Sequence, residues 1–304
     1  MNSNKPKIIA VVGPTAAGKS ALGVELALGF NGEVISCDSR QVYRGLDLGS
    51  GKITREEMRG VQHHLLDVVP PTQVYTVADY VSDAKRAVNR TLERSNLPIV
   101  VGGSFLYLDS LLGRISLPPA PPNPTLRAEL EVLDNRELIE RLRQLDFSAA
   151  ERMDANNQRR LIRAIEVATL LGHLPPPLPK PNYEPLIIGI KIDRDTLRTN
   201  IAKRLEVRLE AGLVDEVRAL IDNGITHKRL ESLGLEYRYL SYYLKGEITE
   251  SEMIIKLNHK IYQYAKRQET WLKRYSTISW FDYPVTLESI RETVENFLAS
   301  PSRN

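Results

Sequence analysis

A single cysteine, Cys37, stands in a chain of 304 residues. That excludes a disulfide framework and sets a cytoplasmic location as the expectation. Histidine is scarce too. Five are present, with neither paired cysteines nor H-x-x-x-H spacing, which argues against a structural zinc site. No apolar run approaches the ~18 residues of a membrane span, so no membrane association is expected. Met1 to Lys7 is polar and leads straight into a strand, so no secretory signal is expected either. Charge of one sign is also missing. The 41 Lys and Arg against 38 Asp and Glu leave a net charge of +3, with a pI near 8.8. This balance neither demands nor excludes nucleic acid, and the distribution along the chain has to decide. Internal repeats and low-complexity tails are absent. The hydrophobic fraction of 42% is ordinary for a globular protein, and the length suits two modest domains or one with an insertion.

What is present begins at Gly13-Pro14-Thr15-Ala16-Ala17-Gly18-Lys19-Ser20, a full match to G-x-x-x-x-G-K-[ST]. Lys7 to Val12 before it is an Ile/Val-rich run suited to a buried strand, and Ala21 to Gly29 after it has helical spacing. Backbone N–H groups of such a turn, with the helix N-terminus, cradle an anion. Lys19 adds a point charge, and the Ser20 hydroxyl can hold Mg²⁺. The loop predicts a bound diphosphate or polyphosphate. Whether the bond to it is hydrolysed, transferred or displaced stays open at this point.

The remaining pattern alternates strand and helix. Strands are expected at Glu33–Cys37, Pro98–Val101, Leu186–Ile192 and Ile278–Tyr283, helices at Val77–Ser95, Arg194–Gly212, Leu213–Asn223, Tyr237–Lys245, Glu250–Tyr275 and Leu287–Ala299. Arg40 to Val74 reads as irregular, broken by Gly45, Gly49, Gly51 and Gly60. Two proline clusters, Pro118 to Pro124 and Pro175 to Pro185, bracket a stretch from Arg127 to Leu171 with helical character alone. The fold class is therefore α/β, a P-loop-type parallel sheet flanked by helices, with a small all-helical insertion subdomain. The expected boundaries are 118–182 for the insertion and 1–117 with 183–304 for the core. One continuous domain with proline-rich surface loops is the alternative.

Candidate site residues cluster at expected strand ends, where open parallel sheets bind ligands. Asp38 ends the second strand. It suits a general base, a water-mediated Mg²⁺ partner, or a turn cap with Ser39. Gly102-Gly103-Ser104 follows the third strand and brings backbone and a hydroxyl to the same edge. Arg204, with Lys203 and Arg208, is placed at the beginning of a late helix, where an arginine fork can neutralise a leaving diphosphate. Arg159, Arg160 and Arg163 form a basic cluster in the insertion, a candidate phosphate-backbone contact. On the helix from Glu250, Lys256, Lys260, Arg267 and Arg274 oppose the apolar face, with Gln263 and Trp271 beside them. A cationic stripe edged by a planar ring suits phosphates and stacked bases. His63-His64 point to opposite sides of an extended chain and suit a structural role or one substrate contact better than a metal. Cys37 is read as a small buried hydrophobe.

Together these motifs resemble the tRNA dimethylallyltransferase family. The resemblance rests on the loop Gly13–Ser20, on Asp38-Ser39-Arg40-Gln41-Val42-Tyr43-Arg44-Gly45 and on His63-His64-Leu65-Leu66-Asp67. It rests further on Val101-Gly102-Gly103-Ser104 with Tyr107, on Arg159-Arg160 leading to Arg163-Ala164-Ile165-Glu166-Val167, and on Ala265-Lys266-Arg267-Gln268 with Thr270-Trp271. The resemblance implies transfer of a dimethylallyl group from dimethylallyl diphosphate to N6 of adenine 37, beside the tRNA anticodon, by a cytoplasmic monomer using Mg²⁺. Gly13, Pro14, Thr15, Ala16, Ala17, Gly18, Lys19 and Ser20 would then hold the prenyl diphosphate rather than ATP, with Ser20 on the metal. Asp38 would be the general base, with Ser104 and Arg204 beside it. Asp38, Ser39, Arg40, Gln41, Ser104, Arg127, Arg159, Arg160, Arg163, Lys266, Arg267, Gln268, Trp271 and Arg274 would touch tRNA, and the insertion would grip the anticodon stem-loop.

The chain departs from the family's usual Gly-Tyr-Arg at Glu236-Tyr237-Arg238, and from Thr-Arg-Gln at Ile261-Tyr262-Gln263, which Tyr264 follows; its insertion is also short. Rival readings are an adenylate prenyltransferase, which would need neither the insertion nor the cationic helix, and a P-loop small-molecule kinase. Against the kinase stand the lack of an arginine-rich lid between core strands and of a second acid after Val101. A binding protein with a degenerate loop is disfavoured by the intact Lys19 and Ser20.

Overall fold

A computed structural model describes residues 5–176 and 180–301. Pro177 and Pro179 of the second proline cluster lie outside them. The chain divides into two units, Met1–Gly113 with Pro181–Asn304, and Arg114–Lys180.

The larger unit is built on a six-stranded sheet. In chain order its strands are β1 (Lys7–Val12), β2 (Gly32–Cys37), β3 (His63–His64), β4 (Leu97–Gly102), β5 (Glu184–Lys191) and β6 (Ile278–Asp282). They lie in the order β3-β2-β4-β1-β5-β6, and every pairing is parallel. Side chains alternate across a strand, so β1 feeds both faces. Ile8, Ala10 and Val12 join one buried cluster, and Ile9 and Val11 join the other. Burial on both faces explains why these strands read as unbroken apolar runs.

Helices α1 (Lys19–Gly29) and α14 (Leu287–Ala299) cover the Ile9 face through Leu22, Leu26, Ile290 and Val294. The other face carries α3 (Val77–Glu93), α4 (Phe105–Leu111), α9 (Arg194–Glu210), α10 (Leu213–Asp222), α11 (His227–Leu233), α12 (Leu235–Leu244) and α13 (Glu250–Leu272), whose buried residues share one cluster with Ile8 and Val12. Thr76, Thr249 and Thr286 close capping boxes at the starts of α3, α13 and α14. Each satisfies backbone donors that the helix itself leaves open.

The expected parallel sheet with flanking helices is present. The segment 40–74, read as irregular, contains the one-turn helix α2 (Arg55–Met58) and the edge strand β3. In β3, His64 Nε2 lies 2.6 Å from Glu33 Oε2, while His63 Nδ1 bonds Val61 O at 2.9 Å. The two rings therefore diverge. Helices α4 and α11 were not anticipated.

The smaller unit is four helices, α5 (Pro124–Glu131), α6 (Asn135–Leu145), α7 (Phe147–Arg152) and α8 (Gln158–Leu171). Leu126, Leu130, Leu138, Leu142, Leu161 and Ile165 form its core. Asn123, Asp134, Asp146 and Asn157 cap the four N-termini, which is why short polar breaks suffice to turn the chain.

Candidate active site

Parallel register sets the site. Val11 pairs with Val101, and Cys37 pairs with Gly102. The residues that follow β1, β2 and β4, namely Gly13, Asp38 and Gly103, thus leave the same edge side by side. Gly102 is required for this closeness, because a Cβ there would overlap the carbonyl of Cys37.

The loop after β1 opens α1 with Gly18 in the left-handed region, φ 78°, a conformation that glycine adopts without steric cost. Lys19 Nζ donates to Pro14 O at 2.7 Å, which curls the side chain back over the loop. Burial, then the neighbouring Arg204, hold the Lys19 pKa down to about 8, with Asp38 opposing. Asn200 Nδ2 donates to Ala16 O at 3.3 Å, and Arg204 Nη1 reaches Thr15 Oγ1 at 3.5 Å. Both come from α9. Arg204 lies past the midpoint of that helix, not at its beginning as the spacing suggested; only there does α9 run beside the loop. Burial followed by Arg208 lower its pKa to about 10, so Arg204 stays cationic at neutral pH.

Asp38 is half-buried. Its Oδ1 accepts the backbone N–H of Arg40 at 2.8 Å and that of Gln41 at 3.4 Å. It is therefore a turn cap, yet Oδ2 takes no hydrogen bond among the described residues and remains available. Ser104 Oγ accepts Ser39 N–H at 2.9 Å, and Ser104 N–H donates to Cys37 O at 3.1 Å. The hydroxyl thus stitches the ends of β2 and β4 together beside Asp38. Cys37 is buried and its thiol is pushed up to about 12, chiefly by burial, so it contributes packing and no nucleophile.

The sequence model of the IPP transferase family matches residues 41–275. The tRNA dimethylallyltransferase of Thermomicrobium roseum is 41% identical over 311 residues, covering 99% of this chain and 94% of its own. The chain belongs to the IPP transferase family. Among solved structures, the tRNA isopentenylpyrophosphate transferase of Bacillus halodurans superposes with a TM-score of 0.73 at 37% identity, over 97% of this chain and 96% of that one. A eukaryotic dimethylallyltransferase, solved acting on tRNA, shares the fold with a TM-score of 0.84 at 23% identity, over 98% of this chain and 81% of its own.

The structure sorts the basic and polar residues expected to meet nucleic acid in this family member. Arg40 is half-buried, with its Nε 3.7 Å from where a Cβ on Gly234 would stand. Lys266 and Arg267 are exposed on α13. Gln268 is not on that surface. It is buried at 4% exposure, its Oε1 accepting Thr15 N–H at 2.7 Å and its Nε2 donating to Gly103 O at 3.1 Å. It bridges the phosphate loop to the β4 turn. Trp271 is likewise no open stacking platform. Its ring stacks on Phe105 with centroids 6.4 Å apart, its Nε1 donates to Asp109 at 3.1 Å, and the Arg274 guanidinium lies 4.7 Å over the ring. Arg274 itself stands beyond the end of α13. Gln41 holds the following loop, donating to Gly51 O at 3.2 Å, and its Oε1 lies 3.0 Å from Ser36 Oγ.

In the helical unit, Arg159 and Arg160 are exposed, whereas Arg127 and Arg163 are committed elsewhere. Arg127 Nε and Nη2 each donate to Glu166 at 2.8 Å, and Arg163 donates to Ala120 O at 2.6 Å and to Glu166 at 3.4 Å. They hold the unit together. Tyr264 is a residue to which the sequence pattern assigns no role. It is 37% exposed, with Arg267 5.8 Å over its ring; burial raises its phenol pKa, Asp38 adds to this, and Arg40 opposes it. An aromatic two residues before a Lys-Arg pair was the available signal.

Proposed function

We propose that this chain transfers a dimethylallyl group from dimethylallyl diphosphate to N6 of adenine 37 in tRNA. The observation that supports it best is the unpartnered Oδ2 of Asp38 at the same sheet edge as the phosphate loop. A diphosphate held by Gly13–Ser20 has Lys19 and Arg204 beside it. An exocyclic amine is a weak nucleophile, and attack on the prenyl carbon is helped by removal of its proton. Asp38 Oδ2 accepts that proton as the N6–carbon bond forms and the carbon–oxygen bond to diphosphate breaks. Lys19 and Arg204 stabilise the charge gathering on the leaving oxygens. The Ser104 hydroxyl, fixed by Ser39 N–H, orients the base next to Asp38.

No three His, Cys, Asp or Glu side chains group as a metal site among the described residues. The donor set suits an ion bound mainly by the diphosphate's own oxygens. Ser20, exposed on the first turn of α1, would hold Mg²⁺, which supplies further charge opposite the leaving group.

Residues 118–182 serve in this reading to grip the anticodon stem-loop through Arg159 and Arg160, and 1–117 with 183–304 carry the chemistry. Tyr264, with Lys266 and Arg267, meets the unstacked loop bases. The protein works as a cytoplasmic monomer; no helix among the described residues is long and apolar enough to cross a membrane. The test is transfer of labelled dimethylallyl to tRNA with A36-A37 anticodon loops and, separately, to AMP. Label in tRNA and none in AMP is the expected result. Equal labelling of AMP overturns the tRNA assignment, and ATP turnover without prenyl transfer overturns the reaction.

A further inference from the structure

Beside the phosphate loop lies a small pocket lined by Thr15, Ala16, Arg204, Arg208, Glu236 and Ile261, among others. A carboxylate is out of place in a site built for an anion. Glu236 stands in the first turn of α12, where the helix dipole favours negative charge. Its Oε1 is 3.7 Å from Arg208 Nη1, and the side chains are only 19% and 13% exposed. Its location is fixed by its neighbour: Tyr237 is buried and donates to Glu216 at 2.9 Å. Glu216 in turn accepts the backbone N–H groups of Asp47, Leu48 and Gly49. Gly51 closes this loop, and a Cβ there would overlap both the Arg204 and the Arg208 guanidinium. The two cations therefore converge on one point of backbone.

We propose that Glu236 is a positioning residue that holds the converging Arg204–Arg208 pair and tempers its charge, setting how readily the diphosphate product leaves. The inference rests on the diphosphate reading of the loop. Asp38 acts on all three of Lys19, Arg204 and Arg208, with Glu57 and Glu216 acting on the arginines from further off, but without Glu236 the pocket wall would carry no carboxylate, and three cations around one small trianion would retain it after bond cleavage. A carboxylate at the pocket wall weakens that hold without touching the reacting atoms. The groups facing Glu236 are Arg204 and Arg208 from α9, Asp38 from the end of β2, Tyr264 from α13 and the adjacent Tyr237. Burial raises its own pKa against the pull of Arg208.

Inorganic pyrophosphate binding to the full chain, measured by calorimetry, tests this directly, with steady-state kinetics beside it. Glu236→Gln keeps the shape and removes the charge. It should bind pyrophosphate about tenfold more tightly, lower KM for dimethylallyl diphosphate and lower kcat as release slows. Glu236→Asp, which keeps the charge, should bind as the wild type does. Because burial raises the Glu236 pKa, the gap between wild type and Glu236→Gln should narrow as pH falls and the wild-type carboxyl protonates. A purely structural role predicts weaker binding in both variants. Equal or weaker binding by a folded Glu236→Gln overturns the proposal. Failure of the wild type to bind pyrophosphate at all overturns the diphosphate reading and this inference with it.

Discussion

Two glutamates, each faced by two arginines, work in opposite ways in the two units. In the helical unit, Glu166 is buried and takes paired hydrogen bonds from Arg127 at 2.8 Å, another from Asn123 N–H and a longer one from Arg163. Burial alone would raise its pKa, but these donors outweigh it and the net shift is downward. In the larger unit, Glu236 sits 3.7 Å from Arg208, too far for a hydrogen bond. There burial outweighs both arginines and the net shift is upward. Similar residue types thus make a closed clamp in one place and an open cluster in the other. The clamp commits its donors to the fold, and the cluster leaves Arg204 and Arg208 with N–H groups for an incoming anion.

If that contrast is right, variants in the open cluster should change rate with little loss of stability, and variants in the clamp should do the reverse. The largest effect is expected at Asp38. Asp38→Asn keeps the turn-capping oxygen and removes the proposed base, so single-turnover prenyl transfer should fall by about 10³, with tRNA affinity within a few-fold in a filter-binding assay. Collapse of binding with the residual rate intact would make Asp38 a contact instead. Next comes Arg204→Gln, which should lower kcat/KM for dimethylallyl diphosphate by about 10² while the melting temperature stays close to wild type. A large drop in melting temperature would place Arg204 with the clamp.

The clamp itself is tested by Arg127→Ala. It leaves a buried carboxylate with only the Asn123 N–H and the longer Arg163 contact, and should cost about 2–4 kcal/mol of stability by denaturant unfolding. Because the folded pKa of Glu166 is depressed, its contribution is complete above the ordinary value of 4.5 and is lost as pH falls through the lower folded value. Glu166→Gln should therefore flatten the acid side of the stability profile. An unchanged profile would mean that the clamp contributes no net charge energy.

Lys19 gives a smaller, pH-resolved effect. It is charged below about pH 8, so donor KM should rise about tenfold per unit above that, and Lys19→Arg should flatten the alkaline limb. Stability moves the other way. The unfolded chain, with its lysine near 10.5, binds more protons between pH about 8 and 10.5, so the fold gains stability across that window. A KM that ignores pH in the wild type would remove Lys19 from the anion site.

Legibility in the sequence followed how local each cause was. The phosphate loop, the strand ends at Asp38 and Ser104, and α14, with Thr286 closing its capping box, depend on neighbours within a few residues. All three were readable. By contrast, β3 is two residues long and exists through pairing with Val34 and Ile35, a contact that no local signal announces. Gln268 and Trp271 show the same limit in the site. Helical periodicity assigned Trp271 to the cationic edge of α13, and the family resemblance placed Gln268 among the tRNA contacts, but the phosphate loop and the β4 turn engage Gln268, and Phe105 and Asp109 engage Trp271. Arg163 was grouped with Arg159 and Arg160 by its place in the basic cluster, and Arg127 was expected at the tRNA from the family resemblance; the geometry of Glu166 lets that one acid engage both.

Arg159 and Arg160 carry the smallest effect and separate the two roles of arginine within one helix. They are exposed on the first turn of α8, one turn before the committed Arg163. Each removed phosphate contact should weaken tRNA binding only a few-fold, and should do so for every tRNA alike. The salt dependence is the sharper readout. The slope of log affinity against log salt should shrink by about 0.7–0.9 for each of Arg159→Ala and Arg160→Ala. Arg127→Ala should leave that slope unchanged wherever the protein stays folded. A slope that falls equally for Arg127→Ala would mean that the clamp arginine also reaches tRNA, and the division between closed clamp and open cations would fail in the helical unit.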